Sequence, residues 1–510
     1  MKYTIYALFF SFLSSLTIVS AQRYEQEMFP EVSTELAVYG SNFSTYSILH
    51  NTFRQTLTMC VYRPAGDTVS NRPVVIYLHT GNFIPFPHNA GCYGTIDDSV
   101  CVEIASRLAK MGFVVAVANY RLGWNPLASS ELIRRFTLAN AVYRGVQDVR
   151  TCIRYFRKSV AEDGNPWGVD PEKIMVWGHG TGGILAVGAA TLNDPAEWIN
   201  TAEPGKFMII PSVPMVMPVY NGDIYGNPPA PQTVCLADSF YNSLIGVPVG
   251  DTMCVANHVG YSSDISLALN MGGYLMDDAW LDSLTPPLIS FHVLSDGFIP
   301  CENGQMGPLI PPHFETIMNV TGGCGIHTLI ESSYHNNEIF KVADDCLNSP
   351  FIQAADAVNG GRAGFYPFIG TPGNQKAPWE WAAVPPGNAN CNANSVTARA
   401  YIDTIMGYTT PLVCRALLLC CLVGTKEQVK TEIPLSLTPN PAWQEVSFTV
   451  PGEYLMQAIE MYDASGRMVR SLNDLNDSSA QLDRGNLPAG IYIVKVYLAA
   501  GIVARKVVFE

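Results

Sequence analysis

The sequence predicts an α/β chain: a doubly wound, mostly parallel sheet followed by a small all-β sandwich. Three observations carry this. Pro73–His79 and Phe113–Ala118 are continuous, β-branched apolar runs, the pattern of strands buried on both faces. Segments of helical period, 99–111 and 136–158, alternate with those runs. At Gly424–Lys430 the composition breaks, and short alternating runs separated by turns take over.

The chain of 510 residues has room for two or three domains. Its net charge of -14 argues against nucleic acid and anionic membrane as partners. Residues 1–21 read as a signal peptide. Lys2 supplies a basic start, Ala7–Val19 are apolar or hydroxylic, and Val19-Ser20-Ala21 is a small-residue cleavage site, leaving Gln22 as the mature start. Export gives the 13 cysteines meaning, because disulfides persist in oxidising compartments. By proximity alone Cys92 and Cys101, Cys235 and Cys254, and Cys324 and Cys346 are the loop-closing pairs to expect, with connectivity open and at least one thiol left over. Cys420 and Cys421 read as buried apolar residues. No C-x-x-C pair, metal-ligand spacing or cofactor motif occurs, so neither a metal nor a cofactor is expected.

Taken in order, residues 22–70 open with a strand pair, Tyr46–Leu49 and Leu57–Tyr62, closed by the turn Arg63–Asp67. The buried run Pro73–His79 empties into the loop His79-Thr80-Gly81-Asn82-Phe83. Val102, Ile104, Ala105 and Leu108 mark the inner face of the next helix, and Asn119–Gly123 follows the second buried run. Ala139, Val142, Val146, Val149, Ile153 and Phe156 mark one face of a long helix over 136–158. Ile174–Ala186 then reads strand, glycine-rich turn, small-residue helix. Gly178-His179-Gly180-Thr181-Gly182 has the spacing of a G-x-S-x-G nucleophile elbow, but glycine stands at the serine position. Without a side chain, Gly180 has no hydroxyl to activate.

Together Val61–Pro64, His79-Thr80-Gly81, Asn119–Gly123, Gln147-Asp148-Val149-Arg150 and Gly178–Gly183 make residues 40–410 resemble an α/β-hydrolase of the carboxylesterase and lipase type. The resemblance implies the fold and does not by itself establish activity. It assigns oxyanion-hole N–H groups to Gly81 and Thr181, although His79-Thr80-Gly81-Asn82 departs from a His-Gly-Gly-Gly pattern. Leu294–Pro300 resembles the turn that carries the triad acid, which assigns Asp296. Among His313, His327 and His335, the polar loop Ser332–Asn337 favours His335 as the triad histidine, while His327 in strand-like Thr328-Leu329-Ile330 reads as structural. Neither His179 nor Thr181 is placed to replace the serine. The expectation is a carboxylesterase-like fold with a vacant nucleophile position, set against the alternative of a divergent ester hydrolase with another nucleophile. A proline- and tyrosine-rich insertion over about 200–285 is expected as a lid, with a small ester, lipid or glycan as ligand, and Ala400–Met406 as the last helix on the sheet.

After a linker at 425–434, residues 435–510 carry Pro439-Asn440-Pro441, Tyr462-Asp463-Ala464-Ser465-Gly466-Arg467, Leu487-Pro488-Ala489-Gly490-Ile491-Tyr492 and Lys506-Val507-Val508. This quartet resembles the C-terminal sorting domain of the type IX secretion system of Bacteroidota. The resemblance implies that the secretion machinery is a partner, that residues 22–424 are the exported α/β-hydrolase-fold cargo, and that the destination is the outer surface or the medium.

Overall fold

The computed structural model describes residues 23–419 and 435–509, apart from 90, 93, 308–315, 343–346, 348, 371–374, 383–390, 393, 453, 464–467, 474 and 499–500. The expected signal peptide and linker, with His313, Cys346, Cys420 and Cys421, therefore lie outside the described residues. The chain divides into two compact units, 1–423 and 424–510.

The first unit is built on an eight-stranded sheet. Strands β1 (Val32–Tyr46) and β2 (Asn51–Pro64) form a long antiparallel hairpin at one edge. Then follow β3 (Arg72–Leu78), β4 (Val114–Ala118), β5 (Val169–His179), β6 (Leu267–Met271), β7 (Leu288–Val293) and β8 (Phe365–Phe368). The spatial order is β1-β2-β4-β3-β5-β6-β7-β8, and from β4 to β8 all neighbours are parallel. Parallel neighbours need crossovers, and the helical-period segments supply them. These are α1 (Ser99–Met111), α2 (Glu131–Glu162) and α3 (Thr181–Thr191), with α4 (Ser395–Ala416) closing the unit.

The unbroken apolar runs follow from cover on both faces. Along β3, Val74, Ile76 and Leu78 join α2 and α3 in one core, while Val75 and Tyr77 join α1 and α4 in the other. Helix α2 is longer than its apolar stripe foretold. It is wrapped on its outer side by the chain after α3, so even its polar residues Asn140, Arg144, Gln147 and Asp148 are buried. Asn140 Nδ2 donates to Met215 O at 2.9 Å, Tyr143 Oη to Gly222 O at 3.0 Å, and Gln147 Nε2 to Asn221 O at 2.8 Å. Much of the segment expected as a lid is thus bonded to α2, and from Leu267 it supplies the sheet strand β6. Tyr220 and Tyr241 pack into the core with their rings 5.0 Å apart, whereas Tyr225 and Phe240 are exposed.

Two of the cysteine pairings differ from those expected by proximity. Cys92 bonds Cys391, 299 residues away, and Cys324 bonds Cys301. Cys101 remains a buried thiol because it sits in the first turn of α1, facing the core. Cys235 and Cys254 do stand opposite each other, as thiols, across the strand pair Val234–Leu236 and Thr252–Val255.

In the second unit, β9 (Ser436–Thr438), β10 (Glu445–Thr449) and β13 (Ser479–Asp483) form one antiparallel sheet. β12 (Met468–Leu472), β11 (Met456–Tyr462), β14 (Gly490–Leu498) and β15 (Gly501–Phe509) form another. Val446 and Phe448 from the first meet Ile459, Met461, Val494 and Val496 from the second in one core, the packing of a small sandwich.

Candidate functional site

Strands β3 and β5 are neighbours, paired Leu78 to Gly178, while the crossover from β3 runs to β4 on its other side. The sheet order reverses here, and the loops at the C-terminal ends of β3 and β5 flank the crevice where ligands bind in open α/β sheets. These loops are His79–Phe83 and the turn into α3.

That turn is sharp. Gly180 has φ 55 and ψ -119, a conformation that strains any residue with a Cβ. Its N–H donates to Met271 O at 2.8 Å. The flanking glycines are sterically required, since a Cβ on Gly182 would lie 2.1 Å from Leu78 O. A Cβ on Gly180 would lie 2.1 Å from Thr80 Oγ1 and 2.9 Å from Thr80 Cβ. The threonine of the β3 loop occupies the space that a side chain at position 180 would need.

Thr181 is the first residue of α3, so its N–H has no partner within the helix. Its hydroxyl is 3.0 Å from Tyr120 Oη, which also donates to His79 O at 2.8 Å. Gly81, at φ 135, packs on the Gly94 backbone. Asn82 and Phe83 follow with φ 54 and 53, fixed by Asn82 Nδ2 donating to Asn89 O and by Phe83 O accepting from Gly123 and Trp124. His79 stacks on Tyr120 at 4.6 Å, and burial lowers its pKa to about 4, so it is neutral.

Asp296 follows β7 at this same end of the sheet. Its Oδ1 accepts from Phe298 N at 2.7 Å and Ile299 N at 3.1 Å, and burial raises its pKa against those bonds. His335 lies elsewhere. It caps the turn Ile330–Tyr334, its side chain is 58% exposed, and its Nδ1 is 3.6 Å from Glu338 Oε1. The neighbouring Asn337 bonds Leu288 and Ala363 at the N-terminal ends of β7 and β8, a strand length of roughly 20 Å from the end bearing Asp296. His327 is at that far end too, bonded to Ala363 O at 3.1 Å. It sits in the short helix Gly323–Leu329 rather than a strand, because the preceding strand Asn319–Thr321 stops at Gly322-Gly323. The structure brings Gly180, Gly81 and Thr181 together and leaves His335 apart from Asp296. The loop after β8 does reach the Asp296 loop, with Ser295 Oγ donating to Gln375 Oε1 at 2.7 Å, but the sequence contains no histidine beyond His335.

One group at the site has no signature in the sequence. Behind Gly180, His179 is fully buried, and its Nε2 lies 3.8 Å from Asp98 Oδ2 and 3.8 Å from Glu380 Oε1. Cys101 completes the cluster, its sulfur and the Asp98 and His179 ligand atoms lying within 4.8 Å of one another. Burial lowers the His179 pKa to about 3, and raises Asp98 to about 7 and Glu380 to about 8, with the Asp98 charge adding to the rise at Glu380. Asp98 precedes α1, His179 ends β5 and Glu380 lies beyond β8, so only the fold joins them.

The BD-FAE family of α/β-hydrolase esterases matches residues 59–208, which hold both loops of the site, and the secretion system C-terminal sorting domain matches 436–510. The chain carries an α/β-hydrolase domain and a C-terminal sorting domain. The sorting domain directs export through the type IX secretion system to the cell surface or extracellular space, and makes that machinery a partner. Over 130 residues the chain is 29% identical to Esterase-5A of Drosophila persimilis, a stretch covering 25% of this chain and 20% of that esterase. Esterase-5A of Drosophila miranda matches equally, at 29% identity over 25% of this chain and 19% of the relative. The chain therefore spans about a fifth of the length of these relatives. Among solved structures, butyrate-bound esterase 2 of Thermogutta terrifontis is 16% identical over 75% of this chain and 94% of its own, with a TM-score of 0.33. Brefeldin A esterase is 21% identical over 32% and 36%, with a TM-score of 0.21.

Proposed function

We propose that this exported α/β-hydrolase-fold protein does not run the serine-hydrolase reaction and serves instead as a binding protein at the cell surface. The supporting observation is the Thr80–Gly180 contact. The nucleophile position is a glycine, and the space a serine Cβ would enter is filled by Thr80 Oγ1. Acyl transfer needs a nucleophile, a base within hydrogen-bond reach and an acid that orients the base. Asp296 stands where the acid would, with its first oxygen committed to backbone N–H groups, and His335 faces Glu338. Of the hydroxyls at the turn, that of Thr80 fills the vacant space and that of Thr181 is paired with Tyr120 and not with a general base. Small esters, lipids and glycans are the ligand classes to screen, by thermal shift and titration.

The test is turnover of short-chain aryl esters by the exported chain, with Asp296→Ala as control. The expected rate is that of buffer for both. Turnover by the parent that Asp296→Ala abolishes would overturn the reading and establish a divergent esterase.

A further inference from the structure

We propose that Asp98, Cys101, His179 and Glu380 form a binding site for one divalent transition-metal ion of the zinc class, buried beside the vacant elbow. The inference is independent of whether the domain turns over esters.

Four donors of the right kinds converge there: an imidazole nitrogen, a thiol sulfur and two carboxylates. This mixture suits a borderline ion such as Zn²⁺ and not a hard, all-oxygen ion such as Mg²⁺. His179 Nε2 is 3.8 Å from both carboxylates, and the Asp98, Cys101 and His179 ligand atoms lie within 4.8 Å of one another. A filled tetrahedral site needs ligand separations of roughly 3.3–3.6 Å, so small side-chain rotations close the set.

Two independent features point to a missing ligand. Asp98 Oδ2 and His179 Nε2 are both buried with no hydrogen-bond partner, although native proteins rarely leave such atoms unsatisfied. They face each other, and among the described residues no lysine or arginine pairs with Asp98 or Glu380. A cation at their common focus satisfies both atoms and offsets the carboxylate charge.

The surrounding bonds fit the role. Asp98 Oδ1 is held by the N–H groups of Gly94 and Thr95 at 2.9 Å each, which leaves Oδ2 directed inward. Tyr77 Oη lies 3.2 Å from His179 Nδ1, and a proton on Nδ1 donated to Tyr77 leaves the Nε2 lone pair for the metal. A small cavity bordered by Thr80, Asp98, His179, Glu380 and Trp381 gives access, and the Cys92–Cys391 disulfide lies at its rim. Four protein donors make a closed site, whose consequence is stability rather than chemistry.

The experiment uses the exported full chain without a histidine tag. It is stripped with chelator, reloaded with Zn²⁺ or Co²⁺ and assayed for bound metal, thermal midpoint and near-ultraviolet absorption. The expected result is about one metal per chain, a midpoint several degrees higher with Zn²⁺ than with chelator, and a thiolate-to-cobalt charge-transfer band. Cys101→Ser should lose that band, and Asp98→Asn should weaken binding at least about tenfold. Because the wild-type spectrum needs no variant, a folding failure in either variant leaves the test intact. Substoichiometric metal with an unchanged midpoint would overturn the site, leaving the carboxyls to hold protons instead. Full stoichiometry retained in both variants would overturn it equally, by placing the metal elsewhere.

Discussion

Thr80 Oγ1 stands 2.1 Å from the point where a Cβ on Gly180 would be, so Thr80 and a side chain at position 180 cannot both be accommodated as the loop stands. A threonine in the β3 loop and a glycine at the elbow are complementary. Gly180→Ser alone should therefore overpack the turn and destabilise the domain by about 1–3 kcal/mol, without turnover. Thr80→Gly with Gly180→Ser should regain most of that stability and remain inert toward aryl esters, since the histidine beside Asp296, the buried His292, has both ring nitrogens engaged by the backbone of Ile299 and Gly323. Denaturant melts and an ester assay on the three proteins check both halves.

Asp148 and Arg121 form a buried pair at 2.8 Å, their side chains 1% and 0% exposed. The carboxylate also accepts the Arg121 N–H at 2.7 Å, and Gln147 Oε1 accepts from the same guanidinium at 3.0 Å. Asp148→Asn strands the arginine charge in the core and should cost about 3–5 kcal/mol. Urea unfolding of the variant is the measurement. A change below about 1 kcal/mol would mean the pair is no better than a surface ion pair.

Asp67 governs part of the acid limit. Burial pushes its carboxyl up, but hydrogen bonds from Arg23 and Arg72 outweigh that and hold its pKa below the ordinary value. A depressed folded-state pKa contributes stability that is present above the unfolded-state value and lost as pH falls through the folded one. Asp67→Asn should thus lower the midpoint at pH 6 and flatten its decline below about pH 4. Thermal melts from pH 6 to pH 3 on both proteins would show it.

Cys235 and Cys254 are directly opposed cross-strand neighbours, both buried thiols. In a chain exported to an oxidising space they should be found joined. Peptide mapping of secreted protein without reductant should recover a Cys235–Cys254 peptide, and two separately alkylated thiols would refute it.

His335→Ala should change stability by no more than about 0.5 kcal/mol, because the ring is exposed and among the described residues pairs with Glu338 alone, across 3.6 Å. A loss of ligand binding in this variant, once a ligand is known, would place His335 in the site after all.

Local chemistry determined a good deal of this protein. Unbroken runs such as Val74–Leu78 can be satisfied only by cover on both faces, so the parallel sheet, the crossover helices and the β-sandwich tail were legible from periodicity. The glycine spacing from 178 to 182 fixed the elbow, because backbone approach there forbids side chains whatever surrounds it. What periodicity could not carry is long-range partnership. That Thr80 fills the place of the Gly180 side chain depends on β3 lying beside β5. That Cys92 bonds Cys391 depends on segments 299 residues apart meeting. The choice of His335 failed to predict its neighbours because a polar loop looks the same at either end of a strand, and which end faces the crevice is set by chain direction in the sheet. The Asp98, Cys101, His179 and Glu380 cluster had no sequence signal for the same reason. Its members come from a helix start, a strand end and a distant loop, and only tertiary packing aims them at one point.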